Sequence, residues 1–334
     1  MESSEAAVGQ KLTPAAEEPG TAGRGRPLSA DSLFHGVCVS MAGLVGVALV
    51  AIVIAIAVDS LPAIRTFGVL GFLKSSEWDP VSEHFGAFPF IVGTLVSSAI
   101  AMVLAVPVSF GVAVFISELA PAWMRQPVSA AIEMLAAVPS IVYGLWGLLV
   151  FAPAFANLEP WINDHLGALP LVGALFQGPP MGIGMLTAGI VLAIMILPYI
   201  TAIMRDVFVA TPTRLKESAY AMGATTWEVA RQILLPYTRT AVTGGIFLGL
   251  GRALGETMAV TFVIGNSNNL SASLLMPGAS IPSVIANEFT EATSKLYVSS
   301  LIYLGLVLIA ITLIVQVLAV LLLGSVRRGA VSSR

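Results

Sequence analysis

Charge is the scarcest commodity in this 334-residue chain. Asp, Glu, Lys and Arg together make up 10%, against 57% hydrophobic residues, with a mean hydropathy of +0.91. A soluble domain carries about 25% charged residues, so a water-bathed globular fold is excluded. There is one cysteine, Cys38, which rules out a disulfide within the chain and reads as a small core residue. The three histidines, His35, His84 and His165, stand apart from one another, and no Cys-x-x-Cys or His-x-x-x-His spacing occurs. No structural metal site is predicted. No Gly-x-x-x-x-Gly-Lys-Ser/Thr run is present, so a phosphate-cradling nucleotide loop of that type is missing. Paired Asp residues, His-Glu-x-x-His and a Ser–Lys constellation are also absent from the apolar segments, which sets an intramembrane enzyme aside.

What the chain has in abundance is long apolar runs. A bilayer core about 30 Å thick takes about 20 mostly apolar residues per helix. Six segments meet that length: 36–58, 87–113, 129–152, 181–204, 240–265 and 299–324. Short alternating strands of the kind that build a barrel are lacking. The fold class is therefore all-α, a polytopic membrane protein with six transmembrane helices, because a helix satisfies its own backbone in lipid.

The basic residues sort by side. One set of segments holds Lys11, Arg24, Arg26, Arg125, Arg205, Arg214, Lys216, Arg231, Arg239, Arg327, Arg328 and Arg334; the other holds Arg65, Lys74 and Lys295. By the positive-inside rule both termini lie in the cytoplasm. Residues 1–33 read as a disordered cytoplasmic tail rich in Glu, Ala, Gly, Pro and Ser. Residues 34–86 hold the first span and an outer loop, 87–326 a core of five spans, and 327–334 a short cytoplasmic end. The outer loops 59–86, 153–180 and 266–298 are long enough for short surface helices. Acidic residues outnumber basic ones there, so a simple attractive vestibule for an anion is not supported. The inner loop 114–128 is broken by Pro121 and Pro127.

The inner loop 205–239 has its own grammar. Thr211 with Pro212 suits a helix start, and Gly223 suits a left-handed stop. Thr225 with Glu228 forms a capping-box pattern for a second helix, which Pro236 should end. Leu215, Ala219 and Met222 share one face, and Trp227, Ala230 and Ile233 share another. On this grammar alone, a solvated hairpin between two spans and a docking element stand equal.

Within the fifth segment lie two charges, Arg252 and Glu256, four residues apart and so on one face of a continuous helix. A charge at the bilayer centre costs about 2.5–3.5 kcal/mol on insertion scales, so the pair should face a neighbouring helix or a water-filled path. Arg252 can bind an oxyanion bidentately, and Glu256 can hold and partly neutralise it. A purely structural ion pair is the competing reading. Gly251 and Gly255 add a spacing that lets another helix approach. Thr257 and Asn266 offer neutral hydrogen bonds near the same helix. Glu133, at the inner end of the third segment, is either an interfacial residue reaching water or a path residue.

Glu217, Ser218, Ala219, Gly223, Ile233, Leu235 and Pro236 resemble the coupling motif of ABC-importer permeases. Ser218 departs from the common Ala. A narrower resemblance rests on Gly251-Arg-Ala-Leu-Gly-Glu-Thr-Met258 and on Trp78-Asp-Pro80 with Phe85-Gly86, Pro89 and Gly93-Thr94. It also rests on Glu118-Leu-Ala-Pro121, on Glu133 through Gly144, and on Ile285-Ala-Asn-Glu288 with Glu291-Ala292. These stretches, spread over about residues 60 to 325, are similar to the phosphate-specific importer permeases and to their C-type subunit.

The resemblance implies a type I ABC-importer permease fold. It implies that Glu217 and the turn near Gly223 seat in a groove of an ATPase, and that Arg252 and Glu256 contribute to phosphate translocation. The implied partners are a sister permease forming a heterodimer, two ATPase subunits and an extracytoplasmic phosphate-binding protein, with membrane lipid around the complex and no nucleic acid. The chain itself would bind no cofactor; ATP and Mg would sit on the partner ATPase. The chain would be non-catalytic. A permease for sulfate or molybdate, and an ATPase-independent secondary transporter, are the alternatives.

Overall fold

A computed structural model describes residues 30–170 and 172–331, with side chains from 32 to 321 except 171. The tail expected over 1–33 thus lies almost wholly outside the described residues. The described chain divides into two units between Ile52 and Val53. Helix α1, Ala30–Asp59, runs across the division. Residues 30–52 of the first unit are a single apolar helical stretch.

The second unit is almost wholly helical. After α1 come α2 (Leu61–Phe67), α3 (Val69–Lys74) and a two-residue hairpin, β1 (Trp78–Asp79) against β2 (His84–Phe85). Then follow α4 (Phe88–Val114), continued by a π turn at Phe115–Leu119, and α5 (Ala122–Ala137). Helices α6 (Ser140–Trp146) and α7 (Ala152–Leu166) are joined by another π turn. Helix α8 (Met185–Val209) precedes the loop pair α9 (Thr213–Ala221) and α10 (Thr226–Val229). Helices α11 (Leu235–Leu254), α12 (Met258–Val263), α13 (Ile281–Glu288) and α14 (Lys295–Val331) complete the chain.

Among the described residues, six helical stretches are long and apolar enough to cross a membrane, as expected. Two of them differ in place from the sequence reading. The third was expected at 129–152, but the observed stretch is Ser140–Leu166. Val138 and Pro139 are extended, and α5 stops before them. Proline disfavours helical geometry in the residue before it. The apolar run continues through this break, so hydropathy could not reveal it. Pro127, expected to break a loop, sits inside α5, and Pro121 caps that helix instead. The fifth stretch was expected at 240–265 but runs Thr226–Leu254. The last helix continues through Gly324 to Val331, past its expected end.

Helix α8 is the central span: 61% of its apolar window is buried, more than in any other candidate span. It packs along α4 through small residues, among them Ala101, Ala105 and Ala193. A Cβ at Gly189 would stand 2.5 Å from Ile100, so glycine sets that approach. Ser109 donates to the Leu197 carbonyl across the same seam, at 3.1 Å. Packing by small residues and interhelical hydrogen bonds is what holds helices together where lipid removes the hydrophobic drive.

A second core lies at the hairpin end. Phe72, Trp78, Phe85, Phe90, Tyr297 and Tyr303 interlock, with Phe85 stacked on Tyr297 at 5.2 Å and Trp78 edge-on to Phe85 at 4.9 Å. Glu288 Oε2 accepts from Trp78 Nε1 at 2.8 Å and from the Tyr297 hydroxyl at 2.6 Å. Gly93 and Thr94 serve the same junction. A Cβ at Gly93 would meet the Ala279 carbonyl at 2.0 Å, and the Thr94 hydroxyl accepts the Ile281 N–H at 2.9 Å.

Candidate functional site

Two regions carry all but one of the residues singled out from the sequence. The first is the loop between α8 and α11. Helix α9 begins after Pro212, which occupies the N-cap itself. Thr211 is not the cap: its hydroxyl donates back to Val207 at 3.3 Å. The stop is as expected, with Gly223 at φ 88. A Cβ there would meet nothing within 4 Å, so the backbone conformation, not space, requires glycine. The capping box is complete, with Glu228 N–H donating to Thr225 Oγ1 and Thr225 N–H donating to Glu228 Oε2.

Pro236 does not end the second helix. A π turn at Ala230–Leu234 precedes it, and α11 carries on through it. A proline ring collides with the carbonyl four residues back in a regular helix. The wider π turn makes room for it.

The loop is tethered on one side and bare on the other. Lys216 Nζ lies 2.9 Å from Glu118 Oε1, both side chains largely buried, which ties α9 to the end of α4. Ala219 is buried, Ile233 and Leu235 are half-buried, and Glu217, Ser218 and Pro236 are exposed. The same loop also exposes Leu215, Tyr220, Met222 and Trp227, with Met222 82% and Trp227 62% exposed. Large apolar side chains left exposed on one short loop are more than a surface facing water alone needs.

The second region begins where α11 ends. The expected Arg252–Glu256 pair on one helical face is not formed. The helix stops at Leu254, Gly255 closes it, and Glu256 stands in the break before α12. The Glu256 carboxylate accepts the Ala259 N–H at 3.2 Å, so it serves the free N–H groups of the next helix. Arg252 makes no ion pair among the described residues. Its guanidinium lies 5.4 Å from the centre of the Tyr199 ring, and its buried Nε finds no acceptor. Of the two glycines, only Gly251 admits a neighbour: a Cβ there would sit 2.6 Å from Gln316 Nε2 of α14.

Thr257 and Asn266 flank this break. The Thr257 carbonyl accepts the Thr261 hydroxyl at 2.7 Å, and Asn266 Nδ2 donates to the Thr261 carbonyl at 2.9 Å. Asn266 takes a left-handed backbone, φ 50, just past Gly265 at φ 92. Glu133 lies elsewhere. It is 59% exposed on α5 and pairs with Arg205 Nη2 at 2.9 Å, with Asp206 sharing the same nitrogen at 2.6 Å. Three features escaped the sequence reading. Tyr199 was one; its signal would have been an aromatic beside a proline in the central span. Glu159 was another: it was placed in a loop, but it is 1% exposed in α7 and accepts the Gly182 N–H at 2.9 Å. The Trp78–Glu288 bond was the third.

These features describe a multi-pass membrane protein with an exposed loop between α8 and α11 and, among the described residues, an arginine without an ion pair within a span. Residues 105–328 match the family model of the binding-protein-dependent transport system inner membrane component. The chain belongs to that family, and is thus a permease component of an ABC transporter. It is 54% identical over 299 residues to the phosphate transport system permease protein PstC of Xylella fastidiosa, covering 89% of this chain and 92% of the relative. The protein of the same name from Haemophilus influenzae is 52% identical over 294 residues, covering 88% and 93%. Among solved structures, a bacterial alginate ABC transporter aligns with TM-score 0.59 at 16% identity, covering 87% of this chain and 94% of that one; this likeness speaks to fold alone. The reading as an ATPase-independent secondary transporter gives way to the family membership.

Proposed function

We propose that this chain is one of two permease subunits that form the membrane path for inorganic phosphate in an ATP-driven importer. The observation that carries the substrate is the name shared by relatives that are 50–54% identical over most of both chains. The other oxyanions considered, sulfate and molybdate, find no such support. The chain does no chemistry on phosphate. A separate ATPase binds ATP and Mg and docks on the loop around Glu217, two copies serving the two permeases. A phosphate-binding protein delivers the ion from outside, which suits an outer surface with no attractive basic vestibule. Both termini lie in the cytoplasm.

The geometry supports a division of labour. Arg252 supplies the positive charge and five N–H donors that an oxyanion can accept. Glu256 and Thr257 hold the helix break open beside it and keep the adjoining α12 in place. Glu133 acts through its ion pair with Arg205, tying α5 to α8, and not as a ligand. ATP closure moves the docked loop, and the Lys216–Glu118 tether passes the movement to α4. The helices then rock around the path as rigid bodies.

The test is uptake of labelled phosphate by cells that lack their own high-affinity system and express this chain with its three partners. Phosphate uptake that sulfate does not inhibit is expected. An assembled complex that never takes up phosphate would overturn the substrate. Uptake without the ATPase would overturn the coupling.

A further inference from the structure

Arg252 is held by a ring and not by a carboxylate. The Tyr199 ring lies 5.4 Å from its guanidinium carbon, within the range of about 6 Å over which a cation is attracted to an aromatic face. No acidic side chain among the described residues pairs with it, and Glu256 is engaged by the Ala259 N–H. The backbone brings ring and cation together. Helix α11 lies close against α8 at two glycines: a Cβ at Gly249 would stand 2.8 Å from Ile200, and one at Gly245 would stand 2.7 Å from Ile203. Ile200 follows Tyr199 directly in α8.

The chemistry of the two kinds of partner differs. A carboxylate fixes an arginine by cancelling its charge and taking its N–H groups. An aromatic face fixes it while accepting none of the five N–H donors and adding no formal negative charge. The Tyr199 hydroxyl makes no hydrogen bond to a described residue, so the ring is the part in use.

We propose that Tyr199 is a positioning residue that holds Arg252 un-neutralised and aimed for an oxyanion in transit. The proposal rests on the phosphate-path reading of Arg252. It makes the quadrupole of the Tyr199 face the working property, so that charge, fixed orientation and free donors coexist at one site.

The experiment is phosphate uptake by the full complex carrying substitutions at position 199. Tyr199→Phe keeps the maximal uptake rate within about twofold. Tyr199→Leu lowers it about tenfold, the size of a partly desolvated cation–π contact. The phosphate concentration for half-maximal uptake stays where it was, because capture belongs to the binding protein. Membrane-extracted complex carries all subunits in the usual ratio. Should the leucine variant fail to assemble, 3,4,5-trifluorophenylalanine at position 199 decides: it keeps the shape of phenylalanine, empties the ring face of negative potential, and should lower uptake as leucine would. A trifluoro variant or an assembled leucine variant that transports at the normal rate overturns the proposal. So does a phenylalanine variant as slow as leucine, since the hydroxyl would then be the active part. Arg252→Ala separates the two layers. If it is inactive while Tyr199→Leu is normal, the positioning role alone fails. If Arg252→Ala itself transports normally, the path reading fails first.

Discussion

The loop at 205–239 and the segment at 252–266 both carry charged residues between apolar helices, yet they are built by different means. In the loop, the turn and the cap are made between near neighbours, and one long-range pair, Lys216 with Glu118, tethers them to α4. Gly223 turns the chain because of its own backbone, and Thr225 and Glu228 cap one another across one helical turn. At Arg252 the decisive neighbour, Tyr199, belongs to another helix. Local chemistry shapes the exposed loop; tertiary packing sets the surroundings of the charge within a span.

Variants can break the two regions separately. The largest effect is expected from Arg252→Ala, which assembles but takes up phosphate on the order of a hundredfold more slowly, the loss of charge-assisted hydrogen bonds worth about 1.5–3 kcal/mol. Labelled uptake against complex yield would check it, and normal uptake would remove Arg252 from the path. Next is Glu217→Arg, which leaves the membrane subunits paired but lowers ATPase co-purification about tenfold or more. Because Glu217 is exposed, the permease's own stability should not change.

Smaller effects sharpen the contrast. Gly223→Ala forces a side chain into left-handed backbone at φ 88, at a cost of about 1–2 kcal/mol. Thr225→Ala removes the cap and costs about 1 kcal/mol. Both should reduce ATPase docking without altering anion selectivity, and limited proteolysis of the loop would report the loosened turn. A change of selectivity in either would mean that the loop and the path are not separable. The smallest effect belongs to Glu133→Gln. Its ion pair with Arg205 is half in solvent and shared with Asp206, so it is worth about 0–1 kcal/mol, and uptake should stay within twofold. A loss comparable to that of Arg252→Ala would return Glu133 to the path.

The reading of Arg252 and Glu256 shows where the sequence misled. Four-residue spacing places two side chains on one face only while the helix continues. Here Gly255 ends it, and Glu256 turns to the N–H groups of α12. The apolar pattern runs through the break without a sign. Pro236 misled in the opposite sense: a proline that reads as a stop is carried inside a long helix by the π turn before it.

By itself the sequence determined the class of the molecule, the count of six apolar spans among the described residues, and the glycine stop and capping box of its loop. Composition, run length and capping are properties of neighbouring residues, and a bilayer leaves few other ways to satisfy a backbone. Only the tertiary structure decided which aromatic ring meets Arg252, that Glu133 belongs to Arg205, that Glu159 is buried against Gly182, and that Trp78 is bound to Glu288. Each joins groups far apart in the chain. The approach of helices through small residues such as Gly189, Gly245 and Gly249 is what brings such groups into reach, and no local pattern encodes that distance.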